Sequence, residues 1–157
     1  MSEIQMRVSG ISKSFPGVKA LSNIDFAVRK GTVHALCGEN GAGKSTLMKI
    51  LAGACKKDSG TIWLNGEQVN IAAPKNAKQL GIAVIYQEFM LAPDLSVAEN
   101  IYLDELGSGK LFLHWREMRQ NAKKWLEKLG FDDIDPRTKV RDLSVAYQQI
   151  TEICKNL

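Results

Sequence analysis

The sequence is short of the features that mark secreted and membrane-spanning proteins. Its three cysteines, Cys37, Cys55 and Cys154, form no CxxC pair and have no metal-ligand spacing to His34 or His114. An odd number of scattered thiols fits a reducing compartment, where each cysteine is expected to act as a small apolar filler. The first ten residues lack the basic start and apolar stretch of a signal peptide. No apolar run approaches the ~20 residues that cross a bilayer, so we expect a cytoplasmic chain that meets a membrane only through a partner.

The sequence also lacks a concentrated basic tract, although its formal net charge is +4. Lysine and arginine are scattered, which favours a solvated basic surface and does not support binding to nucleic acid. With 45% apolar and 24% charged residues, the composition is that of an ordinary soluble protein. The 157 residues are enough for one globular domain with its own core, and they contain no internal repeat or low-complexity segment.

Short apolar runs separated by turns predict strands in the first half of the chain. The run at residues 32–37 is apolar enough for a buried strand and leads directly into Gly38. Asn65-Gly66 predicts a hairpin, because both central positions of such a turn tolerate positive φ. The predicted strands cover residues 6–11, 24–28, 32–37, 61–64 and 82–86.

Apolar residues at helical spacing predict helices in the rest of the chain. Ser96 with Glu99 three positions later is a capping box that opens a helix to about residue 103. Ser144 is expected to cap a last helix that turns Ile150, Ile153 and Leu157 inward. The other predicted helices begin at Ser45 and stop near Gly53, cover residues 75–80, and run from Trp115 to Gly130 with a solvated basic face.

The most specific motif is the glycine-rich run Gly38-Glu39-Asn40-Gly41-Ala42-Gly43-Lys44-Ser45, followed by Thr46. Phosphates need donors at close range, and glycines let successive backbone N–H groups point inward around an anion. A helix that begins near Lys44 adds its positive end. The Lys44 side chain would reach the β- and γ-phosphates, and the Ser45 hydroxyl would bind Mg²⁺. The sequence therefore predicts a nucleotide-binding loop.

Other features stand in a fixed order around this loop. Phe15 precedes it, Tyr86-Gln87-Glu88 follows a predicted strand, and Leu143-Ser144-Val145-Ala146-Tyr147-Gln148-Gln149 comes near the end of the sequence. In order and distance they resemble the adenine-stacking aromatic, the Q-loop and the LSGGQ signature of ATP-binding cassette (ABC) ATPases. The resemblance covers nearly the whole chain.

Several segments narrow the resemblance further. Residues 15–21, 33–36, 38–49 and 95–101 are similar to bacterial importers of monosaccharides of the ribose, galactose, xylose and allose type. The ATPase of these importers usually carries two fused cassettes, and this chain resembles the start of the first.

The resemblance implies an α/β fold of the P-loop nucleoside triphosphatase type. Residues 1–87 would form an antiparallel β subdomain with the phosphate-loop core, and residues 88–157 a helical subdomain that ends in the signature helix. The central parallel sheet would be incomplete within this chain. It also implies a partial nucleotide-binding domain on the cytoplasmic face of the inner membrane.

The resemblance further implies a role for each motif residue. ATP would be bound by Phe15, which stacks on adenine, by residues 38–46 and by Gln87. Mg²⁺ would be shared by Ser45 and Gln87. The signature residues Leu143, Ser144, Val145, Ala146, Tyr147 and Gln148 would complete the ATP site of an opposing cassette. The implied partners are that second cassette, membrane permease subunits and, indirectly, a substrate-binding protein.

Other interpretations of these residues stay open at this point. Phe15 could fill the core, Gln87 could be a polar residue at a strand end, and Ser144 could be only a helix cap. Ala146 and Tyr147 also depart from the common glycine and glutamine of the signature. A Cβ at a close backbone–phosphate contact could weaken the site of the opposing cassette.

The family continues after the signature helix with a metal-binding Asp, a catalytic Glu and a switch His, whereas this sequence ends at Leu157. We therefore expect a piece of a longer protein that contains no catalytic residue. By itself it should bind nucleotide weakly, hydrolyse it negligibly and associate through an unpaired apolar sheet edge.

The function predicted from the sequence is ATP binding that drives monosaccharide import. One alternative is a non-transport cassette, although neither a long coiled-coil insertion nor a strongly basic tract is present. Another is a regulatory module that holds ATP without turnover. A GTPase has the least support, because the Asn-Lys-x-Asp guanine motif is absent from the sequence. The transported sugar is not encoded in these residues.

Overall fold

The computed structural model describes residues 3–86, 88–103 and 115–157. These residues form two compact units, which divide between Ala83 and Val84. Gln87, one of the predicted site residues, lies outside the described residues. Within the described ranges, no helix has both the length and the apolar character that crossing a membrane requires.

The first unit contains a four-stranded antiparallel sheet in the order β2-β1-β3-β4. The β3–β4 hairpin turns at Asn65 and Gly66, whose φ angles are 52° and 84°. Leu64 pairs with Glu67 across this turn, so the hairpin predicted from Asn-Gly is confirmed. The strands are β1 at Ile4–Phe15, β2 at Val18–Arg29, β3 at Ser59–Leu64 and β4 at Glu67–Val69.

Two helices complete this unit, α1 at Lys44–Leu51 and α2 at Pro74–Gln79. The apolar face of α1 packs against the sheet and forms one core with it. Burial of each aliphatic side chain in this core stabilises the fold by about 1.5–3 kcal/mol. The helix predicted from Ser45 to near Gly53 is confirmed. The buried core residues are Val8, Ile11, Leu21, Leu47, Ile50, Leu51, Ile62, Ile71 and Ala77.

The strands predicted at residues 32–37 and 82–86 are not formed. A strand needs a neighbour to accept its backbone hydrogen bonds, and no strand among the described residues pairs with either segment. The apolar side chains are correspondingly uncovered: Val33 is 101% exposed, and Leu36 and Ile85 are each 47% exposed. These two strand predictions failed because an apolar composition favours burial but does not show whether a neighbouring strand is present to pair with.

The second unit is helical. It consists of α3 at Val97–Ile101, α4 at Trp115–Lys128, a 3-10 turn at Val140–Asp142 and α5 at Val145–Lys155. The inward face predicted for α4 is confirmed. Leu157, predicted to face inward, is instead 66% exposed because α5 ends before it. The buried core contains Val97, Ala98, Ile101, Ala122, Leu126, Ile134 and Cys154.

The cysteines differ in their surroundings. Cys154 is buried, and this burial raises the pKa of its thiol to about 11, so it acts as the expected apolar filler. Cys37 is exposed, and the prediction that every cysteine fills the interior is therefore wrong at this position.

The predicted capping box at the start of α3 is confirmed. The Ser96 backbone N–H donates to Glu99 Oε2 at 2.7 Å, and the Glu99 N–H donates to Ser96 Oγ at 3.3 Å. The Ser96 hydroxyl also donates to the Glu99 carboxylate. These bonds from Ser96 hold the pKa of Glu99 below its ordinary value, the hydroxyl contributing most.

We expect Ser96→Ala to lower the free energy of unfolding by about 1 kcal/mol at pH 7. Because the pKa of Glu99 is lowered by folding, the carboxylate contributes its stability above the ordinary value of 4.5 and loses it as the pH falls through the folded pKa. The difference between wild type and variant should therefore shrink at pH 3. Urea unfolding at both pH values measures it, with Glu99→Gln as the control that lacks this titration. An equal difference at both pH values would contradict the assignment.

Candidate functional site

The glycine-rich loop is placed against the β2 strand by Gly43. This residue has φ 87°, and a Cβ added there would lie 2.3 Å from the Ala20 carbonyl oxygen and 2.6 Å from Leu21 Cδ2. Gly41 has a similar φ of 86°, but a Cβ there would meet nothing within 4 Å. Both glycines supply a left-handed backbone, and Gly43 alone of these two also permits a close approach of loop and strand.

The Lys44 side chain turns back over the loop. Its Nζ donates to the carbonyl oxygens of Gly38 at 2.6 Å and of Glu39 at 2.7 Å. The Ala42 N–H donates to the Glu39 carbonyl at 3.2 Å and closes a tight turn. A lysine ammonium has three donors, so one remains for an anion bound at the loop.

The N-terminus of α1 adds backbone donors. Gly43 caps the helix without a side-chain hydrogen bond, and the first bond of the helix runs from the Leu47 N–H to the Gly43 carbonyl at 2.9 Å. The N–H groups of Lys44, Ser45 and Thr46 have no acceptor within the helix. With the positive end of the helix and the Lys44 charge, they form a surface that suits phosphate.

The metal site predicted at Ser45 and Gln87 has only one member among the described residues. Ser45 is exposed at the start of α1. Across residues 3–86, 88–103 and 115–157, no cluster of three or more histidine, cysteine, aspartate or glutamate residues is placed to hold a metal ion. Magnesium in nucleotide sites is bound largely by phosphates and water with one or two protein ligands. Ser45 therefore suits an ion that arrives with the nucleotide.

Phe15 stands at the end of β1, next to the turn into β2, where it pairs with Val18. Its side chain is 45% exposed, so it is not a core residue. Lys13 Nζ lies 5.5 Å from the centre of the ring, and it also binds Asp58 at 2.7 Å. The Lys13 hydrogen bond holds the pKa of Asp58 below its ordinary value. The exposed part of the Phe15 ring is what remains for stacking on a base.

The signature residues lie at the start of α5. The Ser144 hydroxyl accepts from the Tyr147 N–H at 3.4 Å and caps the helix, as the sequence predicted. Ser144, Val145 and Ala146 are exposed, with Val145 at 68%. Capping uses one lone pair of the hydroxyl and leaves the first N–H groups of the helix open. An anion could therefore be bound here as well.

Tyr147 contacts its own unit. Its hydroxyl donates to the Asp133 carboxylate, which raises the pKa of the phenol. Its ring packs edge-to-face on Phe131, with centroids 6.5 Å apart. Gln148 is similarly occupied, since its amide donates to the carbonyls of Val140 at 3.1 Å and Leu143 at 3.2 Å. Tyr147 and Gln148 thus fix the helix in place, while Ser144 and its exposed neighbours face outward.

Sequence reasoning missed a group of buried polar residues in the second unit. Asn100 is 0% exposed, Thr151 is 0% exposed and Glu152 is 3% exposed. For Asn100, the helical spacing could have indicated burial, because Asn100 lies on the same face of α3 as the buried Val97 and Ile101. A polar residue at an apolar position is informative, since burial must be offset by hydrogen bonds.

Comparison with known proteins gives consistent matches. A family model described as ABC transporter matches residues 21–157. The arabinose import ATP-binding protein of Chromohalobacter salexigens is 51% identical over 157 residues, which are 100% of this chain and 32% of that protein. The xylose import ATP-binding protein of Geobacillus kaustophilus is 49% identical over 160 residues, which are 100% of this chain and 31% of that protein. The chain spans about a third of the length of the curated relatives it matches.

Solved structures agree in fold. The ADP conformation of an ATP-binding cassette of an ABC transporter superposes with a TM-score of 0.83 at 26% identity, covering 98% of this chain and 64% of that chain. A nucleotide-free ATP-binding cassette from an ABC transporter gives a TM-score of 0.82 at 28% identity, with 98% and 64% covered. The two units therefore have the backbone of part of a nucleotide-binding cassette.

Proposed function

Because the chain belongs to the ABC transporter family, and family membership implies nucleotide binding, we propose that it binds Mg-ATP through residues 38–46. The observation that carries this proposal is the arrangement of Lys44 and Gly43. Lys44 Nζ lies 2.6 Å from the Gly38 carbonyl oxygen and so is held over the loop. Gly43 lets the first turn of α1 approach β2. Together they place a cation and a helix N-terminus at the same loop.

The base and the metal are assigned to the remaining site residues. Phe15 stacks on adenine, supported by the exposure of its ring on the same unit as the loop. Ser45 and Gln87 bind Mg²⁺, with Ser45 supported by its position at the helix start. Ser144, Val145 and Ala146 contact the nucleotide of a second cassette, supported by their exposure at the start of α5.

For the whole protein we propose an ATPase that powers uptake of a monosaccharide. The support is that relatives about half identical to this chain over their shared residues are import proteins for arabinose, xylose and ribose. In that role it would work with membrane permease subunits on the cytoplasmic face of the inner membrane, and indirectly with a substrate-binding protein. Hydrolysis would use an acidic residue outside these residues.

Titration calorimetry with Mg-ATP, and with GTP as competitor, tests nucleotide binding by this chain. Saturable binding that is weakened when Mg²⁺ is removed supports the proposal. Absence of saturable heat at millimolar ATP would refute it for this chain. Retention of the tagged protein with a membrane permease after detergent extraction tests the importer role separately.

We expect Phe15→Ala to weaken ATP binding about tenfold, because stacking on an aromatic ring contributes about 1–3 kcal/mol per base. Phe15→Trp should bind at least as tightly as the wild type, since it keeps a face for stacking. Inorganic triphosphate is the matched probe, and its affinity should be unchanged in both variants. Equal weakening of ATP and triphosphate binding would mean that Phe15 supports the loop and does not touch the base.

A further inference from the structure

The end of β1 that carries Phe15 extends past the strand that supports the rest of β1. The pairing of β1 with β3 ends at Ser12 and Ser59, where the Asp58 N–H donates to the Ser12 carbonyl at 2.9 Å. Residues 13–15 continue to pair with β2, and no strand among the described residues pairs with them on the β3 side. A backbone N–H that points to that side therefore needs a different acceptor.

The Asp58 carboxylate is that acceptor. The Ser14 N–H donates to Asp58 Oδ2 at 2.7 Å, and the Lys13 ammonium donates to Asp58 Oδ1 at 2.7 Å. Lys13 Nζ also lies over the Phe15 ring, 5.5 Å from its centre, which is within the range of a cation–π contact. One carboxylate is therefore bonded both to the backbone next to Phe15 and to the cation over its ring.

Asp58 is placed beside β1 by the turn to which it belongs. Gly60 has φ 93°, and a Cβ added there would lie 2.5 Å from the carbonyl carbon and oxygen of Gly10. The hydrogen bond from Lys13, followed by that from the Ser14 N–H, holds the pKa of Asp58 below its ordinary value. Because the Asp58 side chain is 46% exposed, its ion pair with Lys13 contributes little to stability. Its effect is on where the end of β1 is held.

We propose that Asp58 and Lys13 are positioning residues for the ring that stacks on the nucleobase. Asp58 fixes the backbone before Phe15, and Lys13 occupies one face of the ring, so the base stacks on the other face. A ring that is ordered before binding loses less conformational entropy when the base arrives. Removal of this support should therefore weaken the binding of the base and leave the binding of the phosphates unchanged. The inference rests on the proposed function, because it takes Phe15 as the residue that contacts adenine.

A double-mutant cycle, measured by titration calorimetry with Mg-ATP and with inorganic triphosphate, tests this role. We expect Asp58→Ala to bind ATP about threefold to tenfold more weakly and to bind triphosphate as the wild type does. In the Phe15→Ala background, Asp58→Ala should have no further effect on ATP affinity, because both residues act through one contact. Glu67→Ala removes an exposed acid from β4 of the same unit and is the control, which should match the wild type.

The inference is overturned if Asp58→Ala binds ATP as tightly as the wild type, if it weakens triphosphate binding equally, or if its effect persists in the Phe15→Ala background. The last two results would show a structural role that does not act through the ring. Lys13→Met decides the question if Asp58→Ala does not fold, because it removes the ammonium and leaves the bond between Asp58 and Ser14. We expect it to weaken ATP binding about threefold without affecting triphosphate.

Failure of the proposed function gives a different result. The wild type would then show no saturable binding of either ATP or triphosphate, and the inference would be refuted with the proposed function. If Phe15→Ala bound ATP as tightly as the wild type, the contact with the base and the inference would be refuted, while phosphate binding at the loop would stand.

Discussion

Replacement of Lys44 by alanine is expected to weaken Mg-ATP binding about 100-fold, because hydrogen bonds to charged groups contribute about 1.5–3 kcal/mol and Lys44 provides the charge at the loop. Its Nζ is already held by the carbonyls of Gly38 and Glu39, at 2.6 and 2.7 Å. In the wild type, the Lys44 side chain is therefore already ordered before ATP binds, and little conformational entropy is lost on binding. The variant loses this fixed positive charge. Titration calorimetry against Mg-ATP measures the loss.

The matched control for this experiment is Lys49→Ala. Lys49 lies in the last turn of the same helix and is exposed, so its removal changes the net charge equally without touching the loop. Lys44→Arg adds a further comparison, because a planar guanidinium keeps the charge but not the compact shape of an ammonium. Equal losses in Lys44→Ala and Lys49→Ala would show that only general electrostatic attraction is involved and would remove Lys44 from the site.

Replacement of Gly43 by alanine is expected to lower the free energy of unfolding of the first unit by about 3 kcal/mol. A left-handed backbone costs a residue with a Cβ about 1–2 kcal/mol. In addition, the new Cβ would lie 2.3 Å from the Ala20 carbonyl oxygen, which belongs to a paired strand and cannot move freely. Relief of this overlap requires α1 to shift away from β2, and the Lys44 backbone moves with it. Urea unfolding and ATP titration together measure the effect.

Gly41→Ala separates the two contributions. Its φ of 86° is nearly that of Gly43, but a Cβ there meets nothing within 4 Å. We expect it to cost only about 1 kcal/mol of stability. Because the loop stays against β2 in Gly41→Ala, a loss of ATP affinity in this variant would mean that the new methyl group crowds the phosphate directly. If the two alanine variants were equally destabilised, contact with β2 would not be what fixes the loop.

Local features were predicted well from the sequence. The Asn65-Gly66 turn and the Ser96–Glu99 capping box were both confirmed. Each depends on backbone angles and on bonds within a few neighbouring residues, and so the residue types at those positions are sufficient to specify them.

Features that need a distant partner were predicted poorly. The apolar run at residues 32–37 was predicted to be a strand, but no strand among the described residues pairs with it. Tyr147 stood out in the sequence only as a departure from a family pattern. The structure shows what a tyrosine does at this position: its hydroxyl donates to the Asp133 carboxylate, and its ring packs on Phe131.

The sequence by itself determined the phosphate-binding loop, the order of the motifs and the family, because these depend on residue types at short spacing along the chain. Only the tertiary structure decided that Gly43 lies against Ala20 and that Asp58 holds the backbone of Ser14. Each of these contacts joins residues more than twenty positions apart in the sequence. No local pattern encodes such a contact, because it exists only after the chain has closed a loop and packed its elements together.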